Sequence, residues 1–122
     1  MNMKDNPDKI RFACRTFPIE QILKCSFNLN NTEMTLLKHL VSEEDEKDVN
    51  ELAKKFNKDR STIQRSLNVL VSKKLINKRQ INLESGGYIY VYSSKPKEYI
   101  KEKIREVFSN FIDVVTQQVD RW

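Results

Sequence analysis

The sequence predicts a mainly α-helical fold carrying one small β-hairpin and ending in a long helix. Three observations predict it. Capping-box patterns at Asn30–Glu33 and Asp48–Glu51 each open an apolar run of helical period. Gly86 and Gly87, the only two glycines, stand between segments of alternating β-branched and aromatic residues. From Pro96 to Trp122 no further Pro or Gly interrupts a helical pattern. At 122 residues the chain is one domain's length with a short appendage. We divide it into a tail over 1–17, a folded head over 18–95 and a helix over 96–122.

Residues 1–17 carry no periodic apolar pattern and read as a tail. Pro18 suits a first helical position and opens a short helix through Phe27. Asn30 caps the next helix, with Glu33 returning the second bond of the box and Leu29 placed to staple onto Met34. Met34, Leu37, Leu40 and Val41 form its apolar stripe. The acidic run Glu43-Glu44-Asp45-Glu46 reads as a solvated loop. Leu52, Ala53 and Phe56 face inward from a helix of about nine residues. Asn57-Lys58 turns the chain, since Asn tolerates a left-handed stop. Asp59 caps a further helix that buries Ile63, Leu67, Leu70 and Val71. Leu75–Leu83 and Tyr88–Tyr92 are the strands of the hairpin.

Charge is unevenly placed. The net charge is +5, yet residues 48–95 hold ten basic and four acidic side chains, a net +6. An anionic partner is therefore expected at the middle segment. Mean hydropathy is −0.65 and no run approaches the roughly 18 apolar residues of a membrane span, so no membrane partner is expected. The polar start lacks a secretory apolar stretch, and a cytoplasmic protein is expected. Two adjacent glycines exclude a glycine-rich phosphate loop. His39 is the single histidine and is read as structural. Cys14 and Cys25 show no metal-ligand spacing and are read as free thiols. No catalytic set, metal site or cofactor site is expected.

Two short helices joined by a tight turn, then a two-stranded hairpin, follow the order of a winged helix-turn-helix. In that arrangement the second helix enters the major groove of DNA with its polar face outward. Here that face carries Arg60, Ser61, Thr62, Gln64, Arg65 and Asn68. Arg pairs with guanine and Gln or Asn with adenine by paired hydrogen bonds. Arg65, Gln64 and Ser61 are the expected base contacts, and Arg60 and Asn68 lean toward phosphate. Ser61, near the helix start, also suits a phosphate oxygen. Lys78 and Arg79, with the tip Ser85-Gly86-Gly87, are expected beside the flanking backbone or minor groove.

The stretch Asp48-Val49-Asn50-Glu51-Leu52-Ala53-Lys54-Lys55-Phe56-Asn57-Lys58-Asp59-Arg60-Ser61-Thr62-Ile63-Gln64-Arg65-Ser66-Leu67 resembles the helix-turn-helix of TrmB-like and MarR-like transcriptional regulators. The helix before it and the Gly86–Tyr92 wing are similar to the archaeal, stand-alone members. The resemblance covers about residues 29–95. It implies a homodimer that binds a promoter or operator in double-stranded DNA through paired recognition helices and wings. These families usually carry Gly just after the recognition helix, where this chain has Lys74. Either Lys74 takes a left-handed backbone or the helix ends differently.

Ile104, Phe108, Phe111 and Val115 recur at helical spacing, and Trp122 continues the row. Ile100 and Val107 widen it. So apolar a stripe on so small a domain predicts pairing with a second copy. A part of it folding back onto the Pro18–Phe27 helix is compatible with that. Two other readings stay open. One is a protein-interaction winged helix serving as an adaptor of the transcription machinery. The other is an RNA-binding module that stacks bases on Tyr88, Tyr90 and Tyr92, although packing in the core or wing is the expected use of those rings.

Overall fold

The computed structural model describes residues 9–122, and the first eight residues of the expected tail lie outside them. In chain order the elements are β1 (Lys9–Phe12), β2 (Arg15–Pro18), α1 (Ile19–Ser26), α2 (Asn31–Ser42), β3 (Lys47–Asp48), α3 (Val49–Phe56), α4 (Arg60–Ser72), β4 (Ile76–Asn82), β5 (Tyr88–Ser94) and α5 (Lys97–Arg121). They divide into two compact units, one of residues up to Leu29 with Lys103–Trp122, the other of Asn30–Glu102. The helical fold with a small antiparallel sheet and a long last helix is the fold class the sequence predicts.

The Asn30–Glu102 unit is a winged helix-turn-helix. Both capping boxes form: the Asn30 side chain accepts from the Glu33 N–H at 2.8 Å, and Asp48 accepts from Glu51 at 2.8 Å. Leu36, Leu40, Leu52, Ile63, Leu67, Leu70 and Leu75 are almost completely buried and make the core, closed from the sheet side by Tyr92. Val71 is only half-buried, and Ser66 is buried in its place on α4. The sheet has three strands in the order β3-β5-β4, all antiparallel. The two-residue strand β3 was not expected. Its second residue, Asp48, is also the N-cap of α3, and one extended backbone (φ −93, ψ 173) serves both roles.

Three helices end alike. In each, a residue with positive φ turns the chain back so that two amides bond the last free carbonyls. These residues are Asn28 (φ 53), Asn57 (φ 51) and Lys74 (φ 61). After α4, Lys74 donates to the Val71 carbonyl at 2.9 Å and Leu75 donates to that of Leu70 at 3.1 Å. That is the Schellman pattern, with Leu70 and Leu75 both fully buried as its apolar contact. Lys74 therefore adopts the left-handed conformation that the missing glycine required.

In the other unit, the expected tail is corrected. Residues 9–18 form the β1–β2 hairpin, pairing Ile10 with Phe17 and Arg11 with Thr16. Its two-residue turn uses Ala13 at φ 53 and contains neither Gly nor Asn, so no turn signal marked it. Ile10 and Phe17 are half-buried. Pro18 ends β2 and caps α1 with an extended backbone.

Candidate nucleic-acid interface

The helix-turn-helix consists of α3, the Asn57–Asp59 turn and α4. Ile63, Leu67 and Leu70 fix α4 to the core, which leaves Arg60, Ser61, Arg65 and Asn68 exposed and Thr62 and Gln64 half-buried. The N-terminal turn of α4 is internally bonded. The Asp59 carboxylate accepts from the Ser61 hydroxyl at 2.6 Å and from the Thr62 hydroxyl. Those two bonds hold its pKa below the usual carboxylate range. Arg65 reaches back to the Thr62 hydroxyl at 3.4 Å, a long contact that orients the guanidinium along the same face. Arg60 projects without entering this chain of bonds.

Two expectations about this helix change. Ser61 spends its proton on Asp59, and a carboxylate already occupies the helix start. A phosphate would meet repulsion there, so Ser61 can offer a duplex only its acceptor oxygen. Gln64 does not project outward: its amide nitrogen donates to the Tyr92 hydroxyl at 3.1 Å and to Asn68 Oδ1 at 3.0 Å. Both donors are thereby used, and Gln64 ties α4 to the sheet instead of presenting the paired donor and acceptor that adenine needs.

The wing is β4, β5 and the tip between them. At the tip Gly86 (φ 96) and Gly87 (φ 79) carry the backbone that the Leu83–Gly87 hydrogen bonds need. A side chain there would meet open space, so the glycines answer the turn's dihedrals and not a steric limit. Ser85 at the same tip is exposed. The strand register sets Lys78 opposite Tyr92, Gln80 opposite Tyr90 and Asn82 opposite Tyr88, and these six side chains share one face. Tyr92 is fully buried and joined to Gln64, so β5 is anchored to α4 from beneath. Lys78 Nζ lies 4.1 Å from the centre of the Tyr90 ring, which in turn meets Tyr88 edge-on with centroids 5.4 Å apart. Sequence reasoning missed Gln80 and Asn82 as part of this surface, and placed Tyr88 and Tyr90 on it only under the RNA-binding reading. Their common parity with Lys78 across the hairpin was the available signal.

Arg79 is on the opposite face and is already paired. Its Nε donates to Glu46 Oε2 at 2.9 Å, and a second guanidinium nitrogen bonds the other oxygen of the same carboxylate. Arg79 is thus withdrawn from the expected wing contacts, and Glu46 belongs to a bridge, not to a purely solvated acidic run. The pairing lowers the Glu46 pKa and raises that of Arg79.

Elsewhere, His39 is half-buried with its ring edge-on to Phe56 at 5.2 Å. Cys14 and Cys25 are exposed free thiols. Among the described residues no group of three His, Cys, Asp or Glu could hold a metal, and no helix is long and apolar enough to cross a membrane. On α5, Ile100 is buried within its own head and is withdrawn from the expected dimer stripe. Ile104 and Val107 are half-buried, whereas Phe108, Phe111, Val115 and Trp122 are exposed.

An outward polar second helix with a hairpin set beside it makes this a winged helix-turn-helix protein. The chain belongs to the DnaD N-terminal domain family, whose model matches residues 19–113. Its fold is similar to that of a solved protein from Methanosarcina mazei Go1, a possible transcriptional regulator. The TM-score is 0.88 and the identity 32%, over 96% of this chain and 98% of that one. Mutant MepR from a multidrug-resistant S. aureus clinical isolate shares the fold at TM-score 0.55 and 20% identity, over 86% of this chain and 73% of that one. The winged-helix resemblance drawn from residues 48–67 therefore holds at the level of fold. By sequence the chain is similar to the uncharacterized protein MJ1503 of Methanocaldococcus jannaschii. That pair is 26% identical over 111 residues, 91% of this chain and 83% of that one.

Proposed function

We propose that the protein is a cytoplasmic transcriptional regulator that binds specific double-stranded DNA as a homodimer, with α4 in the major groove and the wing on the flanking backbone or minor groove. The observation that carries this reading is the exposed Arg60–Arg65–Asn68 face of α4, to which the Gln64–Tyr92 hydrogen bond anchors the strand β5 that pairs with Lys78. Arg65 is the base reader, able to form the paired bonds that guanine accepts. Arg60 and Asn68 contact phosphate, Ser61 and Thr62 shape the helix start, and Lys78 and the Ser85–Gly87 tip hold the backbone. No metal or cofactor takes part, and the role is one of binding and not of catalysis. The likeness to the possible regulator of Methanosarcina mazei supports the same reading.

Selection of bound sites from a random duplex pool, followed by gel shifts at two salt concentrations, tests the proposal. The expected result is a palindromic consensus, bound well above random DNA, with affinity falling steeply as salt rises. A folded protein indifferent to duplexes in dilute buffer overturns it. The competing reading is then the adaptor, a winged helix that meets an acidic protein.

A further inference from the structure

The apolar surface of the terminal unit is unevenly built. Toward the start of its α5 segment, α1 flanks the helix. Ile22, Cys25 and Ser26 face Val107, Phe108 and Phe111 across an open groove of about 280 Å3. Toward the other end the same stripe stands bare. Val119 is 62% exposed, and Trp122, the last residue, is wholly so. A groove walled by α1 and a more open hollow, lined by Val114, Val115, Gln118, Val119 and the exposed Trp122, thus lie on one helix surface, separated along its axis.

We infer that α5 pairs with α5 of a second copy in antiparallel fashion, centred on Val115, so that Trp122 of each copy fills the Phe108–Ile22 groove of the other. The inference rests on the homodimer reading above and fixes its geometry. Phe108 and Trp122 each lie seven residues from Val115, on opposite sides, and Phe111 and Val119 each lie four. Antiparallel pairing therefore sets Phe108 against the partner's Trp122, Phe111 against the partner's Val119, and Val115 against itself on the twofold axis. An exposed indole meets a walled groove twice. A parallel pair would set groove against groove and indole against indole, leaving both indoles without a seat.

Asp113, Asp120 and Arg121 lie on the far side of α5 from Val115, so the paired stripe carries no charge of its own. Covering Phe108, Phe111, Ile112, Val115, Val119 and Trp122 on both copies removes roughly 1,500 Å2 from water, the area of a standard specific interface. A second copy is thus an occupant of sufficient size as well as of matching shape.

Cysteine cross-linking in the full chain tests the register, in a Cys14→Ser, Cys25→Ser background. Val115→Cys is expected to form a disulfide-linked dimer under mild oxidation. Phe108→Cys and Trp122→Cys are expected to link poorly alone and readily when the two variants are mixed. A sedimentation dimer in which Phe108→Cys and Trp122→Cys each link best to themselves overturns the antiparallel arrangement and leaves the homodimer standing. A monomer at tens of micromolar overturns both.

Discussion

Lys74 sits in a left-handed backbone, where a Cβ costs about 1 kcal/mol or more. The Schellman bonds and the buried Leu70–Leu75 contact hold it there. Lys74→Gly removes the clash without touching those bonds and is expected to stabilise the protein by about 1 kcal/mol, read from the urea midpoint. Lys74→Ala should bring no such gain. On the polar face of α4, Arg65→Ala is expected to cost about 1–3 kcal/mol on the selected site and to relax its base preference. Lys78→Ala should weaken every duplex alike and lower the salt slope by about one. Equal losses for Arg65→Ala on specific and random DNA, in competition gel shifts, would remove its reading role. Asp59 adds a pH signature. Its hydroxyl bonds depress its pKa in the folded state, so its contribution is complete at neutral pH and disappears as pH falls through that lowered value. Asp59→Asn should flatten this acid limb in urea titrations.

Between elements, the Glu46–Arg79 bridge ties the loop before β3 to β4 and takes one cation out of the wing's field. Glu46→Gln is expected to free Arg79, tighten binding to random duplexes and steepen the salt slope by about one, as one more phosphate contact would. An unchanged slope would mean that this side of the wing faces away from DNA. The elements that carry a local signature were legible in the sequence. Capping boxes announced α2 and α3, Asn57 the stop of α3, and the glycine pair the tip of the wing. What escaped was set by partners distant along the chain. Gln64 reads as an exposed helix residue until Tyr92, twenty-eight positions on, claims its amide. Arg79 reads as a free cation until Glu46 meets it from thirty-three positions away. Strand β3 is two residues long, too short for periodicity to register, and exists because β5 offers it an edge. The β1–β2 hairpin turns at Ala13 with no residue that favours a turn.

For the whole molecule, the proposed function makes specificity the result of joining two modest readers. One winged helix with a few phosphate contacts and one strong base reader binds weakly, near the micromolar range of nonspecific association. Held to a twin, the second head searches only the volume that the first allows, at an effective concentration on the order of millimolar. Pairing through α5 is therefore expected to raise affinity for a palindrome by a factor of about 10² or more without adding a single contact to DNA. Val115→Arg places a charge on the twofold axis, against its own copy, and should dissociate the pair. Val115 is exposed within its own chain, so the head should keep its circular-dichroism signature, while its thermal midpoint should fall somewhat and lose its dependence on protein concentration. The variant should still bind a half-site as the native chain does. On the full palindrome it should lose at least about a hundredfold, and it should become indifferent to the spacing between half-sites. Gel shifts over a series of spacer lengths, read beside sedimentation of the same samples, separate the two effects. A monomeric variant that still preferred one spacing would show that the heads contact each other on DNA, and that α5 is not what sets their distance.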